Sequence, residues 1–177
     1  KEKIPYVPLG EFPTPIKHLS NIGKEIGTDY LYLKHDGLSG PIYGGNKIRK
    51  LEFLLGDALR KGAKQILTFG FAGSNHALAT AVYTQKLELK CISILLAQPN
   101  AQYVQGNLLL GQFCRAENYH FKYEMAAYIP TIIKLVWGKL KYGKLPYIIA
   151  PGGSSPLGII GYVNAGYELK EQITNGL

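Results

Sequence analysis

Apolar residues in this chain fall into short runs separated by turns rich in glycine and polar residues. Residues 65–69, 91–96, 119–123 and 147–150 are compact runs with β-branched and aromatic side chains, and each predicts a strand. Residues 77–85, 104–113 and 129–142 lie between or beside them and predict helices. Pro130 fits the first turn of the last of these. Leu51, Leu54, Leu55 and Leu59 recur at i, i+3, i+4 and i+8, so an amphipathic helix is expected behind Asn46, a residue type suited to capping it. Alternating strands and helices imply right-handed crossovers. The fold class expected is therefore α/β, an open parallel sheet with helices on both faces. Its four strands form one unit over residues 47–150. A strand at 31–34 and a helix at 157–173 fall outside it.

Two helix starts carry chemistry. Gly44-Gly45-Asn46-Lys47 places a lysine in the first turn of the amphipathic helix. The helix dipole disfavours an ammonium there, and burial shifts a lysine the same way. A neutral lysine amine attacks carbonyls to form a Schiff base. Taken alone, Lys47 is equally a solvated lysine beside a glycine turn. Trp137 lies at helical spacing with Ile133 and is expected in the core. Lys50, one turn after Lys47, is expected to be exposed, and Tyr43 to be a packed turn residue.

The second start is Gly70-Phe71-Ala72-Gly73-Ser74-Asn75-His76, which follows the strand at 65–69. Free backbone N–H groups at a helix N-terminus form an anion site. Ser74 and Asn75 can add side-chain hydrogen bonds, or can simply cap the helix. His76 is a candidate for proton transfer, although a histidine in a first turn is commonly structural.

Composition narrows the classes. The chain has 177 residues, 46% of them hydrophobic, which suits a packed globular protein. No apolar stretch reaches membrane-spanning length, and residues 1–17 lack a secretory pattern. Neither a membrane nor an extracellular setting is expected. Cys91 and Cys114 show no disulfide framework and no metal-ligand spacing, so a cytoplasmic protein without a bound metal is expected. The net charge is +8, but the lysines are dispersed apart from Lys134, Lys139, Lys141 and Lys144. That cluster fits a solvated helix face, so no nucleic-acid partner is expected.

The two helix starts together resemble a known family. Residues 44–54, GGNKIRKLEFL, followed by residues 73–81, GSNHALATA, are similar to the fold-type-II pyridoxal-phosphate enzymes. The closest resemblance is to the group of D-cysteine desulfhydrase and 1-aminocyclopropane-1-carboxylate deaminase. Residues 8–16 resemble that group's entry segment, residues 31–37 its Lys-x-Asp strand, and residues 152–162 its GGS…GY segment. The resemblance implies a tryptophan synthase beta-like fold and pyridoxal 5'-phosphate as cofactor. It implies that Lys47 links to the cofactor and that Asn75 hydrogen-bonds the cofactor's ring hydroxyl. Ser74, Asn75 and His76 would hold the substrate carboxylate. The group commonly has Gln where this chain has Gly73, which leaves the identity of the substrate open.

The resemblance also implies an organisation. Residues 1–46 would belong to a larger domain, residues 47–150 would form the small α/β domain, and residues 151–177 would return to the larger domain. Family members continue beyond this point, into the loop that holds the cofactor phosphate. The chain is therefore expected to be a fragment with an incomplete second domain, poor turnover on its own, and exposed apolar surface around 157–167. The implied activity is that of a lyase or deaminase on a small amino acid, homodimeric when intact. The alternatives are a non-catalytic remnant or binding module that keeps the fold, or a Rossmann-like nucleotide binder. The last lacks the expected G-x-G-x-x-G turn.

Overall fold

The computed structural model describes residues 3–99 and 102–176. Strand β1 (Ile16–His18) and helix α1 (Ser20–Ile26) are followed by strand β2 (Tyr32–Lys34), which pairs antiparallel with β1. A single 3-10 turn, Asp36–Leu38, leads toward helix α2 (Lys47–Arg60). Strands and helices then alternate: β3 (Gln65–Phe71), α3 (Asn75–Lys86), β4 (Lys90–Leu96), α4 (Gln102–Phe113), β5 (Glu117–Phe121), α5 (Glu124–Tyr142) and β6 (Tyr147–Ile149). A second 3-10 turn, Pro151–Gly153, precedes helix α6 (Pro156–Thr174).

The main sheet has the order β5-β4-β3-β6, and all of its pairings are parallel. Its alternating side chains separate two cores, as a pleated sheet requires. Ile66 and Ile149 pack with Leu54, Leu55, Ala79 and Val82 of α2 and α3. Leu67, Ile92 and Ile94 face the other way, toward Ala127 and Leu135 of α5. Helices therefore cover both faces, as expected.

Several boundaries differ from those the sequence predicts. Strand β5 begins two residues earlier than expected, at Glu117, because Glu117 and Asn118 continue the ladder with β4 despite their polarity. Helix α5 begins at Glu124, so Pro130 lies inside the helix and not in its first turn. Trp137 is 44% exposed, with the Lys141 ammonium 4.4 Å from its ring centroid, so it is not a core residue. The inward side of α5 is made by small residues such as Ala127 and Gly138. Ile159, Val163 and Tyr167 of α6 are exposed, in line with the apolar surface expected there.

Helix α2 departs most from expectation. Every residue from Ile48 to Ala58 is buried, polar ones included, so α2 is amphipathic as expected but is enclosed on its polar side as well. Helix α6 covers one side of it, and Gly161 makes this approach feasible. A Cβ at that glycine would stand 2.0 Å from the Arg49 carbonyl oxygen. The N-terminal segment covers another side, with the Val7 amide donating to the Glu52 carbonyl.

Burial of charge demands partners, and each buried charged side chain of α2 has them. Arg49 donates to Asp36, to Glu168 and to the Thr14 hydroxyl. The Glu52 carboxylate accepts from the Leu9 and Gly10 amides and from the Tyr6 hydroxyl. Asp57 pairs with Arg60 and Lys61 and accepts from the Tyr147 hydroxyl. Lys50 is only 9% exposed and donates to the Gly152 carbonyl and the Ser154 hydroxyl. The sequence expectation of an exposed Lys50 is therefore wrong. Its apolar stem and its ammonium are both taken up by the turn that precedes α6.

Candidate functional site

Strand β3 ends at Phe71, and α3 begins four residues later, at Asn75. Ser74 is the N-cap, with extended backbone and a hydroxyl that accepts from the Ala77 amide at 3.2 Å. Asn75 is the exposed first residue of α3. The first amides of a helix have no intrahelical acceptor, so the Asn75 and His76 N–H groups, just past the end of β3, can serve an anion. This is the carboxyl end of a parallel strand, where ligands of open α/β sheets gather.

Lys47 enters from the other side. It is the half-buried first residue of α2. Asn46 before it already has helical dihedrals, φ −63° and ψ −14°, and its side chain forms no capping bond, contrary to expectation. The two helix starts meet. The Tyr43 hydroxyl lies 3.4 Å from Asn75 Oδ1, and the Tyr83 hydroxyl of α3 donates to the Tyr43 carbonyl at 2.8 Å. Tyr43 is thus a bridge between the starts.

His76 joins them from beneath. It is 2% exposed, and neither ring nitrogen has a hydrogen-bond partner. Burial, then the charges of Lys47 and Lys50, lower its pKa to about 4. Lys50 is likewise lowered, by burial and by Lys47. A glycine makes room for this packing. Gly153 sits at φ +64°, and a Cβ there would stand 3.1 Å from His76 Cε1 and 3.4 Å from the Lys50 side chain. Lys47, Lys50 and His76 therefore surround one small volume. Among the described residues, neither lysine forms an ion pair with a carboxylate there.

A depressed histidine pKa has a definite sign. His76 is neutral in the fold, so protonation favours the unfolded chain. Its contribution to stability is complete above about pH 6.5 and declines as the pH falls toward about 4. We expect the His76 ring resonances in an NMR titration to hold steady through pH 6.5 and to move near pH 4. Movement centred near 6.5 would contradict the burial and the lysine field described here.

The sequence pattern missed Asn107 of α4. Its Nδ2 donates to the Gly73 carbonyl at 2.8 Å and to Asn75 Oδ1 at 2.9 Å. The Gly73 amide in turn donates to Gln98 Oε1 at 3.0 Å. Nothing in the run around Asn107 signals this, because its partners lie on another element. The serines of the 152–158 segment are engaged elsewhere: Ser154 with Lys50, and Ser155 as the cap of α6, accepting from Gly158.

Comparison with known proteins identifies the family. Residues 7–176 match the family described as "Pyridoxal-phosphate dependent enzyme". The chain belongs to this family.

A Pyrococcus horikoshii protein, provisionally named a 1-aminocyclopropane-1-carboxylate deaminase, is 43% identical over 174 residues, which cover 96% of this chain and 51% of that protein. The D-cysteine desulfhydrase of Salmonella paratyphi B is 34% identical over 177 residues, covering 96% and 52%. A crystal structure described as that of "the ACC deaminase homologue" superposes with a TM-score of 0.82 at 42% identity, over 96% of this chain and 51% of that one. Diaminopropionate ammonia lyase of Escherichia coli in apo form shares the fold, with a TM-score of 0.67 at 15% identity, over 95% of this chain and 50% of that one. The chain spans about half the length of the curated relatives it matches. No helix among the described residues is long and apolar enough to cross a membrane.

The cofactor of the family is pyridoxal 5'-phosphate, and the residues present fit it. It carries an aldehyde, an anionic phosphate and a ring hydroxyl. The cleft offers the Lys47 amine, the Lys50 ammonium, and the unpartnered imidazole of His76. An anionic group would offset the two lysine charges that now face each other.

Proposed function

We infer that the whole protein is a pyridoxal-phosphate-dependent lyase or deaminase acting on a small amino acid, of the D-cysteine desulfhydrase or 1-aminocyclopropane-1-carboxylate deaminase kind. One observation carries this: Lys47, Lys50 and the unpartnered His76 converge on the start of α3. The similarity to the Pyrococcus and Salmonella proteins supports it.

In this assignment Lys47 would hold the cofactor covalently and, once released, would move the α-proton of a D-cysteine-like substrate; the cyclopropane amino acid has no α-proton and would be opened at its ring instead. Asn75 meets the ring hydroxyl. Ser74 and the amides of Asn75 and His76 bind the substrate carboxylate at the positive end of α3. Lys50 supplies a fixed positive charge beside them. When bound, pyridoxal phosphate delocalises the negative charge that develops at the α-carbon. His76, uncharged, helps to exclude water from the floor of the site.

The domain assignment accompanies this function. Residues 47–150 would be the small α/β domain, and residues 1–46 and 151–177 would be parts of a larger one. In its support, these two end segments bind each other: the Thr14 amide donates to Glu168, the Gln172 amide to the Thr14 carbonyl, and Lys34 pairs with Glu168. A homodimer in the cytoplasm completes the proposal, and its two unpaired cysteines suit that compartment.

Mixing the protein with pyridoxal phosphate and recording its absorption tests the assignment. A band near the visible edge is expected, which a nucleotide binder would not give. Assays of the intact protein for pyruvate from D-cysteine, and for the four-carbon keto acid from the cyclopropane amino acid, then separate the two substrates. Absence of the band together with absence of both products would refute the assignment.

A further inference from the structure

The turn that opens α3 contains a hydrogen-bond chain with only one consistent polarity. The Gly73 carbonyl can only accept. The Asn107 side-chain atom 2.8 Å from it must therefore be the amide nitrogen, Nδ2. The same nitrogen lies 2.9 Å from the Asn75 side chain. A donor on one side requires an acceptor on the other, so Asn75 meets it with Oδ1. The Tyr43 hydroxyl, 3.4 Å from that oxygen, donates to it as well. A backbone carbonyl thus sets the orientation of Asn107, and Asn107 sets that of Asn75. Asn75 is exposed, and among the described residues its Nδ2 makes no hydrogen bond.

We propose that Asn107 is a positioning residue that locks the Asn75 amide, so that Asn75 offers a ligand a donor and never an acceptor. The inference rests on the assignment of Asn75 to the cofactor's ring hydroxyl. A donor there favours the ionised ring oxygen, whereas an amide turned over would set oxygen against oxygen and favour the protonated form. Asn75 alone has no means of choosing, because its two ends are nearly equal in size. The choice is made on α4, 32 residues away in sequence.

Asn107→Asp is the decisive variant. It preserves shape but removes both donated bonds, and the new carboxylate attracts the Asn75 NH2 group, turning the amide over. The first measurement needs no cofactor: the Asn75 side-chain amide resonances of the 177-residue chain should shift downfield in Asn107→Asp. The second is a pyridoxal phosphate titration. Asn107→Asp should weaken binding about tenfold, the worth of one hydrogen bond. It should also move the absorption of the bound cofactor toward the form with a protonated ring hydroxyl. Asn107→Ala, which only unlocks the amide, should fall between the two, and it replaces Asn107→Asp if that variant does not fold. Unmoved Asn75 resonances in a folded Asn107 variant would overturn the lock. A cofactor spectrum that changes in Asn75→Ala but not in Asn107→Asp would do the same while leaving the assignment of Asn75 standing. A spectrum unchanged in Asn75→Ala would instead remove that assignment, and the inference with it.

Discussion

Replacing Lys47 with alanine should abolish covalent retention of pyridoxal phosphate. The structure offers three lysines near the two helix starts, and their surroundings separate them. Lys34 is engaged by the Thr14 carbonyl, by Gln172 and by Glu168. Lys50 is held by the Gly152 carbonyl and the Ser154 hydroxyl. Among the described residues Lys47 alone of the three has no hydrogen-bond or ion-pair partner, while its charge reaches Lys50 and His76. A nucleophile must be free to turn toward its target. Borohydride reduction of the cofactor-loaded protein, followed by peptide mapping, should place the label on Lys47. In Lys47→Ala the label should vanish, and turnover of the intact protein should fall by at least about 10²–10⁴-fold, the usual worth of one positioned proton-transfer group. A label on Lys50 or Lys34 in the unmodified protein would show that the assignment is wrong.

The distinction among these lysines also shows what the sequence could reveal. The positions of Lys47, Ser74 and Asn75 at two helix starts could be read locally, from a glycine turn before α2 and from the end of a strand before α3. The four parallel strands were legible because apolar runs such as 65–69 and 91–96 are buried on both faces. Contacts that join distant segments left no local trace. The burial of Lys50 depends on a carbonyl 102 residues further on. The polar side of α2 looked solvent-facing because its cover is made by α6 and the N-terminal segment, at opposite ends of the chain. The start of α5 was misplaced because Pro130 resembles a first-turn proline, although the chain already turns helical at Glu124. Strand β5 was placed two residues too late because backbone pairing with β4, and not side-chain polarity, decides where it begins.

Arg49 is where long-range cover of this kind carries the largest energetic consequence, and Arg49→Met should cost about 3–5 kcal/mol of folding stability. The guanidinium is 2% exposed and reaches Asp36 at 2.7 Å and Glu168 at 2.8 Å. It also lies 4.3 Å from the Phe12 ring centroid. One side chain thus ties the 3-10 turn before α2, the N-terminal segment and α6 to the helix start that carries Lys47. Methionine fills much of the same space, so the loss would come from two carboxylates left in a poorly solvated place and not from a cavity. Denaturant unfolding should show a lower midpoint with an unchanged slope. Adding Asp36→Asn to Arg49→Met should restore part of the loss, because Glu168 keeps Lys34 as its partner and Asp36 then carries no unpaired charge. The pH dependence has a fixed sign. Burial opposes ionisation of Glu168, but hydrogen bonds from Arg49, Lys34 and the Thr14 amide outweigh it and lower its pKa from 4.5 to about 2; Asp36 is lowered for similar reasons. The stabilisation these carboxylates provide is therefore complete above about pH 4.5 and is lost as the pH falls toward 2. In Arg49→Met the same carboxylates are a burden that protonation relieves, so the stability difference from the unmodified chain should narrow across that interval. A difference below about 1 kcal/mol at neutral pH, the size expected of an exposed ion pair, would mean that the network is solvated and does not hold the Lys47 helix in place.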